Sequence, residues 1–395
     1  MRKIIALCLL FAILFLSLGV TSFAKPKTKS EAEINASASR IQFDLGIELG
    51  GAYLCEASTG KVLYSLNEHK EASPASVTKV MTLLLVCEAL DLGHISLEDS
   101  VLISAHAASM GGSQVFLEEG ESITVEDLIK STVIASGNDS SVALAELCAG
   151  SEESFVRMMN SRAKELGLKN TSFENCTGLD DTTVNHYTCA ADIAAMTREL
   201  LKHPIILKYS SIWQDSIRNG EFVLTNTNRL VRYYSGCNGL KTGSTDKAGF
   251  CISATAKREN MQLIAVIMGA KTKDDRNNAA RKLLDFGFAN YALFEREESF
   301  VENIPVKGGV KDFVSSYSGK VSICIEKSKL NSINEEYVIP EFISAPISCG
   351  QQVGRVVYKC GEDEIFSSEL FVREAVEKIS FGEILSRIIK RIVCG

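Results

Sequence analysis

The sequence predicts an α+β fold: an antiparallel sheet with helices, then a small all-β domain and a C-terminal amphipathic helix. Three observations predict it. Strand-like runs stand at both ends of a long helical block, at residues 49–66 and again at 249–257 and 262–268, the last two joined through Arg258-Glu259-Asn260. The block between them, from about Thr124 to Leu200, carries apolar residues at helical spacing. From about Glu297 the texture changes to short β-rich runs separated by Gly, Ser and Asn.

The elements follow in chain order. Met1-Arg2-Lys3 precedes an apolar stretch from Ile4 to Val20 and then Thr21-Ser22-Phe23-Ala24. A basic start, an apolar run and small residues at the cleavage positions describe a signal peptide cut after Ala24. An uncleaved anchor is the competing reading, since the stretch is nearly long enough to span a bilayer. Both readings export the rest of the chain. Residues 25–41 read as a spacer, and residues 42–293 as the first domain. Residues 49–66 alternate and turn at Ser58-Thr59-Gly60, a hairpin. Residues 76–92 are apolar at helical spacing and stop at Gly93. Further helices are expected at 125–135, 140–149, 153–166 and 190–200, and one at 274–286 ending at Gly287.

The small β-rich domain is expected over residues 297–371 and the amphipathic helix over 372–395. Along that tail Val372, Val376, Ile379, Leu385, Ile388 and Ile392 gather on one side, while Arg373, Lys378, Arg387, Lys390 and Arg391 fall largely elsewhere. The stretch is too charged to span a membrane and amphipathic enough to lie in an anionic membrane surface. The competing reading is a helix docked on the protein itself.

Composition narrows the function classes. Loss of residues 1–24 leaves 371 residues and, with Arg2 and Lys3 gone, moves the net charge from −7 to −9. An acidic chain with no basic cluster in its body argues against nucleic acid as a partner. The 12 cysteines become 11 without Cys8, and none forms a CxxC pair, so no zinc site is expected. Scattered through apolar segments, they read as buried thiols, with a Cys349–Cys360 bridge left open. Five histidines do not suggest a metal or a His-based triad, and His106 and His186 read as surface or packing residues. No phosphate-binding loop or dinucleotide fingerprint is present, so no cofactor is expected.

Three short motifs carry chemistry. Ser76-Val77-Thr78-Lys79 is an SxxK at the start of an apolar helix. Positions i and i+3 share a helix face, so the lysine amine can reach the serine hydroxyl. Serine needs a neighbouring base, and lysine serves when burial or another cation lowers its pKa. Ser136-Gly137-Asn138 stands 60 residues on, between two helices; its competing reading is a plain turn with Asn138 or Asp139 as a helix cap. Lys241-Thr242-Gly243 stands 105 residues further, just before a strand. On an edge strand it offers a cation, a hydroxyl and a glycine that admits a substrate backbone. Each motif alone is weak; the ordered set is the one found in penicillin-binding proteins and class A β-lactamases.

With these motifs the chain resembles the D-alanyl-D-alanine carboxypeptidases, the low-molecular-mass penicillin-binding proteins. The resemblance runs from about Gln42 to Tyr291 and includes Gly111-Gly112-Ser113-Gln114, Phe116-Leu117-Glu118-Glu119-Gly120, Thr177-Gly178-Leu179-Asp180-Asp181 leading to His186-Tyr187, Asn226-Thr227-Asn228-Arg229-Leu230, and Lys241-Thr242-Gly243-Ser244-Thr245-Asp246. Ser244 departs from several relatives, which carry a larger residue there. The resemblance implies a penicillin-binding/β-lactamase-like transpeptidase domain that trims peptidoglycan stem peptides ending in D-Ala-D-Ala and covalently binds β-lactams; the export signal and the amphipathic tail place it, as an expectation, at the outer face of the cytoplasmic membrane. It implies that Ser76 is the nucleophile, Lys79 the general base and Ser136 a proton relay bonded to Lys79 or Lys241. Asn138 would position Lys79 and the substrate amide. Lys241 and Thr242 would hold the terminal carboxylate beside Gly243, and the Ser76 and Ser244 N–H groups would form the oxyanion hole. Arg276 is an extra carboxylate ligand or, equally, a solvated residue of a helix first turn.

Two rival functions compete with this reading. A β-lactamase shares the motifs but needs a glutamate to activate water, for which Glu174 is the candidate. A non-catalytic penicillin-binding sensor or scaffold would have lost a catalytic serine or lysine, and none is lost.

Overall fold

The computed structural model describes residues 43–394; the expected signal peptide and spacer lie outside the described residues. The architecture is α+β. Strands β1 (Gly51–Glu56), β2 (Val62–Leu66), β3 (Cys237–Thr245), β4 (Gly249–Arg258) and β5 (Met261–Ala270) form one antiparallel sheet in the order β2-β1-β5-β4-β3. The β1–β2 turn forms as expected, and buried Glu56 closes it: its Oε2 accepts from the Thr59 N–H at 2.7 Å and from the Ser58 hydroxyl at 2.8 Å.

Alternation along β5 shows why the sheet is covered on both faces. Ile264, Val266 and Met268 point into the core shared with helices α1 (Lys79–Asp91), α2 (Val125–Lys130), α3 (Asn138–Ala149), α4 (Glu152–Glu165) and α5 (Ala190–Leu200). Leu263, Ala265 and Ile267 face the other way, toward α6 (Lys273–Asn290) and the stacked rings of Phe43 and Phe286. Helix α1 is buried on all sides, from Lys79 through Cys87, so it forms the axis of the helical half.

Helix α6 corrects the reading of Gly287, which lies inside the helix rather than capping it. A Cβ there would stand 2.6 Å from Leu263 Cδ1, so the glycine serves close helix–sheet packing.

The second domain is all-β. Strand β6 (Tyr291–Arg296) pairs with β9 (Val321–Glu326). Strands β7 (Phe300–Lys307), β8 (Phe313–Tyr317), β10 (Ile333–Val338), β11 (Gln352–Cys360) and β12 (Asp363–Val372) join a second sheet in the order β10-β11-β12-β8-β7. Its core includes Ile304, Val314, Val356, Tyr358 and Leu370.

The tail departs from the sequence reading. The helix, α7, begins at Phe381 and not at Val372, and runs to Cys394. Val372 ends β12, and Val376 exchanges both backbone bonds with Ile347 at 2.8 and 2.9 Å. Both valines are buried in the β domain. The helix starts where a capping box allows it: Ser380 Oγ accepts from the Glu383 N–H at 3.3 Å, and Glu383 Oε2 accepts from the Ser380 N–H at 2.8 Å.

The described cysteines Cys55, Cys87, Cys176, Cys189, Cys251 and Cys324 are buried free thiols. Cys349 and Cys360 are also free, so the bridge left open between them is absent.

Candidate active site

Pro74 leads into a 3-10 turn, Ala75–Thr78, that runs directly into α1. Ser76 therefore sits at the N-terminal end of a buried helix, where peptide dipoles favour negative charge on its oxygen. Lys79, three residues on, is fully buried, and its Nζ lies 3.0 Å from Ser76 Oγ. It has two further partners, Asn138 Oδ1 at 2.6 Å and the Thr177 carbonyl at 2.9 Å.

These partners decide which way the amine faces. A neutral amine has two N–H groups and one lone pair. Asn138 Oδ1 and the Thr177 carbonyl only accept, so they take the two N–H groups; the lone pair is left for Ser76, whose hydroxyl can donate. Burial pulls the Lys79 pKa down to about 7, against the opposing effects of Cys176 and Asp139.

The Ser136 motif depends on an irregular turn. Helix α2 passes into a π-helical turn, Ser131–Ala135, and Ser136 follows in the left-handed region at φ 67°. π turns and left-handed non-glycine residues concentrate at functional sites because they cost stability elsewhere. The turn places Ser136 Oγ 2.8 Å from Lys241 Nζ. Of the two partners allowed for Ser136, the structure selects Lys241. Asn138 opens α3 rather than capping it; its Nδ2 donates to the Gly111 carbonyl at 2.6 Å, which fixes the orientation of the amide.

Strand β3 is the sheet edge, with its free side toward the Ser76 turn. A Cβ on Gly243 would lie 2.7 Å from Ser76 N and 2.9 Å from the Pro74 carbonyl, so only glycine fits. Thr242 Oγ1 donates to Thr227 Oγ1 at 2.8 Å. Lys241 is fully buried behind Ser136, and its pKa falls well below the usual lysine range through burial and the neighbouring Lys79 and Arg276 cations. A cavity of about 630 Å³ opens here, lined by Ser76, Ser136, Thr242, Gly243, Ser244 and Arg276, with Trp213 and Thr227 among its other walls.

Arg276 is not a solvated residue of a helix first turn. It is buried on α6, lines the cavity and bonds to Asn277 Oδ1 at 3.0 and 3.1 Å, with no carboxylate partner among the described residues. Burial lowers its pKa to about 10, which leaves it a cation at neutral pH.

Several supports owe their contacts to the fold, though Gly178 and Asp180 stand in the 177–181 motif and Asp139 follows Asn138. Asp139, buried beside Asn138, accepts from the Val115 and Leu117 N–H groups at 2.9 and 3.2 Å and holds the 111–117 loop. Asp180 Oδ2 accepts from Ser73 at 2.8 Å and Thr245 at 2.6 Å, tying the nucleophile's approach to the end of β3. Gly178, at φ +83°, lets its loop pass so close to Ala75 that a Cβ would meet the Ala75 carbonyl at 1.9 Å. The spacing of these residues in the chain says nothing of their contacts.

His186 packs behind the Ser76 turn. His186 Nδ1 accepts from the Glu174 N–H at 3.1 Å, so Nε2 carries the proton toward Thr78 Oγ1 at 2.7 Å. Burial lowers its pKa to about 4. Glu174, the candidate of the β-lactamase reading, accepts from the Val184 N–H at 2.8 Å and is not among the residues lining the cavity.

Known proteins share this sequence and fold. A family profile described as D-alanyl-D-alanine carboxypeptidase matches residues 37–272, and one for the C-terminal domain of penicillin-binding protein 5 matches 288–378. The chain is 44% identical to the D-alanyl-D-alanine carboxypeptidase DacF of Bacillus subtilis, over 96% of each. It is 34% identical to DacC of Escherichia coli, over 94% of this chain and 91% of that one. Among solved structures, penicillin-binding protein 5 from Haemophilus influenzae superposes with a TM-score of 0.76 at 33% identity, over 84% of this chain and 98% of that one. Penicillin-binding protein D2 from Listeria monocytogenes, in its ampicillin-bound form, superposes at 0.58 with 28% identity, over 62% of this chain and 100% of that one. The serine–lysine pair, the Ser136 turn and the glycine-bearing edge strand thus sit in a chain that, by identity over nearly its whole length, belongs to the D-alanyl-D-alanine carboxypeptidase family of low-molecular-mass penicillin-binding proteins.

Proposed function

We propose that the chain is a serine carboxypeptidase that removes the terminal D-alanine from peptidoglycan stem peptides and is acylated by β-lactams. The observation that carries this is the Ser76–Lys79 pair, its lysine buried and lowered to about 7, opening on a cavity that also holds the Arg276 cation. Lys79 takes the Ser76 proton as Oγ bonds to the carbonyl carbon between the two D-alanines. The N–H groups of Ser76 and Ser244 receive the oxyanion, at about 3–4 kcal/mol per donor. The C–N bond then breaks, and Ser136 passes a proton to the departing amine. Water attacks the acyl-enzyme and frees Ser76. Thr242 and Arg276 take the terminal carboxylate, while Lys241 acts from behind Ser136; an arriving carboxylate favours its charged form.

The test is D-alanine release from a peptide ending in D-Ala-D-Ala, run beside nitrocefin turnover. Steady release with only stoichiometric nitrocefin consumption is expected. Rapid nitrocefin turnover without release would make the chain a β-lactamase, and neither activity would make it a penicillin-binding sensor or scaffold.

We further infer that the C-terminal helix holds the exported chain peripherally on the outer face of the cytoplasmic membrane. Phe381, Leu385, Ile388, Ile389 and Ile392 are 81, 48, 50, 51 and 77% exposed, so the apolar face is not docked on the protein. Arg387 ties the polar side to Asp312 at 2.9 Å, and no helix among the described residues is long and apolar enough to cross a membrane. A chain ending at Ser380, which keeps Val372 and Val376 in the β domain, is expected to keep D-alanine release and stop co-sedimenting with anionic liposomes. Salt is expected to weaken the full chain's binding only in part, because each cation contributes about 1 kcal/mol and the apolar face the rest. Equal sedimentation of both chains would sink the anchor.

A further inference from the structure

Of the three partners of Lys79 Nζ, the Thr177 carbonyl is the only one not supplied by a side chain. Its position is set by the segment 175–178. Asn175 Oδ1 accepts from the Gly178 N–H at 2.7 Å and the Thr177 N–H at 3.2 Å, a fastening internal to the loop. Thr82 Oγ1, on α1, donates to the Cys176 carbonyl at 2.7 Å. The remaining contact comes from outside both. Glu152, the first residue of α4, accepts the Cys176 N–H on Oε1 at 3.0 Å, and its Oε2 lies 2.9 Å from His106 Nε2. Cys176 is fully buried, so its N–H needs an acceptor, and Glu152 is the one it has.

We propose that Glu152 is a positioning residue for the Ser76–Lys79 pair. By holding the Cys176 N–H it anchors the start of the 176–178 segment, in which Asn175 fixes the Thr177–Gly178 peptide unit whose carbonyl takes one N–H of Lys79 and so turns the amine lone pair to Ser76. The carboxylate is not among the residues lining the cavity; it acts through the Cys176 N–H and the two peptide units that follow it. The assignment rests on the reading of Lys79 as the base.

The test measures the acylation rate constant and the dissociation constant of the non-covalent penicillin complex separately, by stopped flow, in the full chain. Glu152→Ala leaves a buried donor unpaired and is expected to slow acylation roughly ten-fold or more, with the dissociation constant unchanged. Glu152→Gln keeps an amide oxygen for the same N–H and is expected to restore most of the rate. Glu152→Asp withdraws the oxygen while keeping the charge; it is expected to fall between the two, and it decides the matter if the alanine variant does not fold. Wild-type acylation in Glu152→Ala or Glu152→Asp, or a glutamine variant as slow as alanine, overturns the assignment. Lys79→Arg is run alongside. If it acylates normally, the base reading itself has failed; if it is inactive while Glu152→Ala is normal, only the role of Glu152 has failed.

Discussion

Ser76→Ala is expected to abolish the covalent adduct with a fluorescent penicillin and to cut D-alanine release on the order of 10⁶-fold, the scale of loss when a serine hydrolase is stripped of its nucleophile. The expectation follows from geometry. Ser76 is the hydroxyl 3.0 Å from Lys79 Nζ, on the wall of the cavity. Ser136, the nearest rival, is 4% exposed and already bonded to Lys241, so it cannot substitute. Intact-mass spectra of residues 25–395 should show one adduct in the wild type and none in the variant. The thermal midpoint should barely move, because one half-buried hydroxyl contributes about 1 kcal/mol at most. An adduct of unchanged yield in Ser76→Ala would move the nucleophile elsewhere.

Lys79→Arg is expected to slow acylation by about 10²–10⁴-fold, the usual worth of a positioned general base. Arginine keeps the charge and cannot deprotonate near neutrality. Its planar fork also presents only donors, whereas the wild-type site needs a lone pair facing Ser76. The pH dependence makes the test sharper. Lys79 is lowered to about 7 by burial, so it is an ammonium below that pH and an amine above it. Acylation by the wild type should therefore rise as pH climbs through about 7. The arginine variant should lack that ascending limb, because nothing at position 79 titrates there. Near-normal acylation with the limb intact would assign the base to another group.

Much of this site is legible in the sequence. Ser76 and Lys79 are three residues apart on one helix, so their meeting needs no tertiary information beyond the helix itself. The hairpin at Ser58-Thr59-Gly60 and the paired strands β4 and β5 are legible for the same reason: their partners are close in the chain. The sequence misleads where one local pattern fits two structures. Val372 and Val376 are four residues apart, which places them on one face of a helix and, being an even number, on one face of a strand as well. The pairing of Ile347 with Val376 chose the extended form, and the helix could start only at the Ser380–Glu383 box. Gly287 reads as a helix stop by residue type, yet it stays helical because Leu263 presses against it.

The sequence by itself determined the reactive groups and their order: the SxxK pair, Ser136-Gly137-Asn138 and Lys241-Thr242-Gly243. Only the tertiary structure decided which of them touch, because those contacts join residues far apart in the chain. Lys241 chose Ser136 across 105 residues, and Asn138 met Lys79 across 59. Burial, which turns Lys79 from a cation into a base, is a property of the packed core and not of position 79. The same holds for Arg276, drawn into the cavity on α6 when its sequence context also allowed a solvated first turn. Thr177 heads a motif, but neither its carbonyl's bond to Lys79 nor the role of the Glu152 carboxylate was legible, since every residue has a carbonyl and most glutamates face water. Their roles exist only where the fold leaves a buried N–H that a single acceptor can reach.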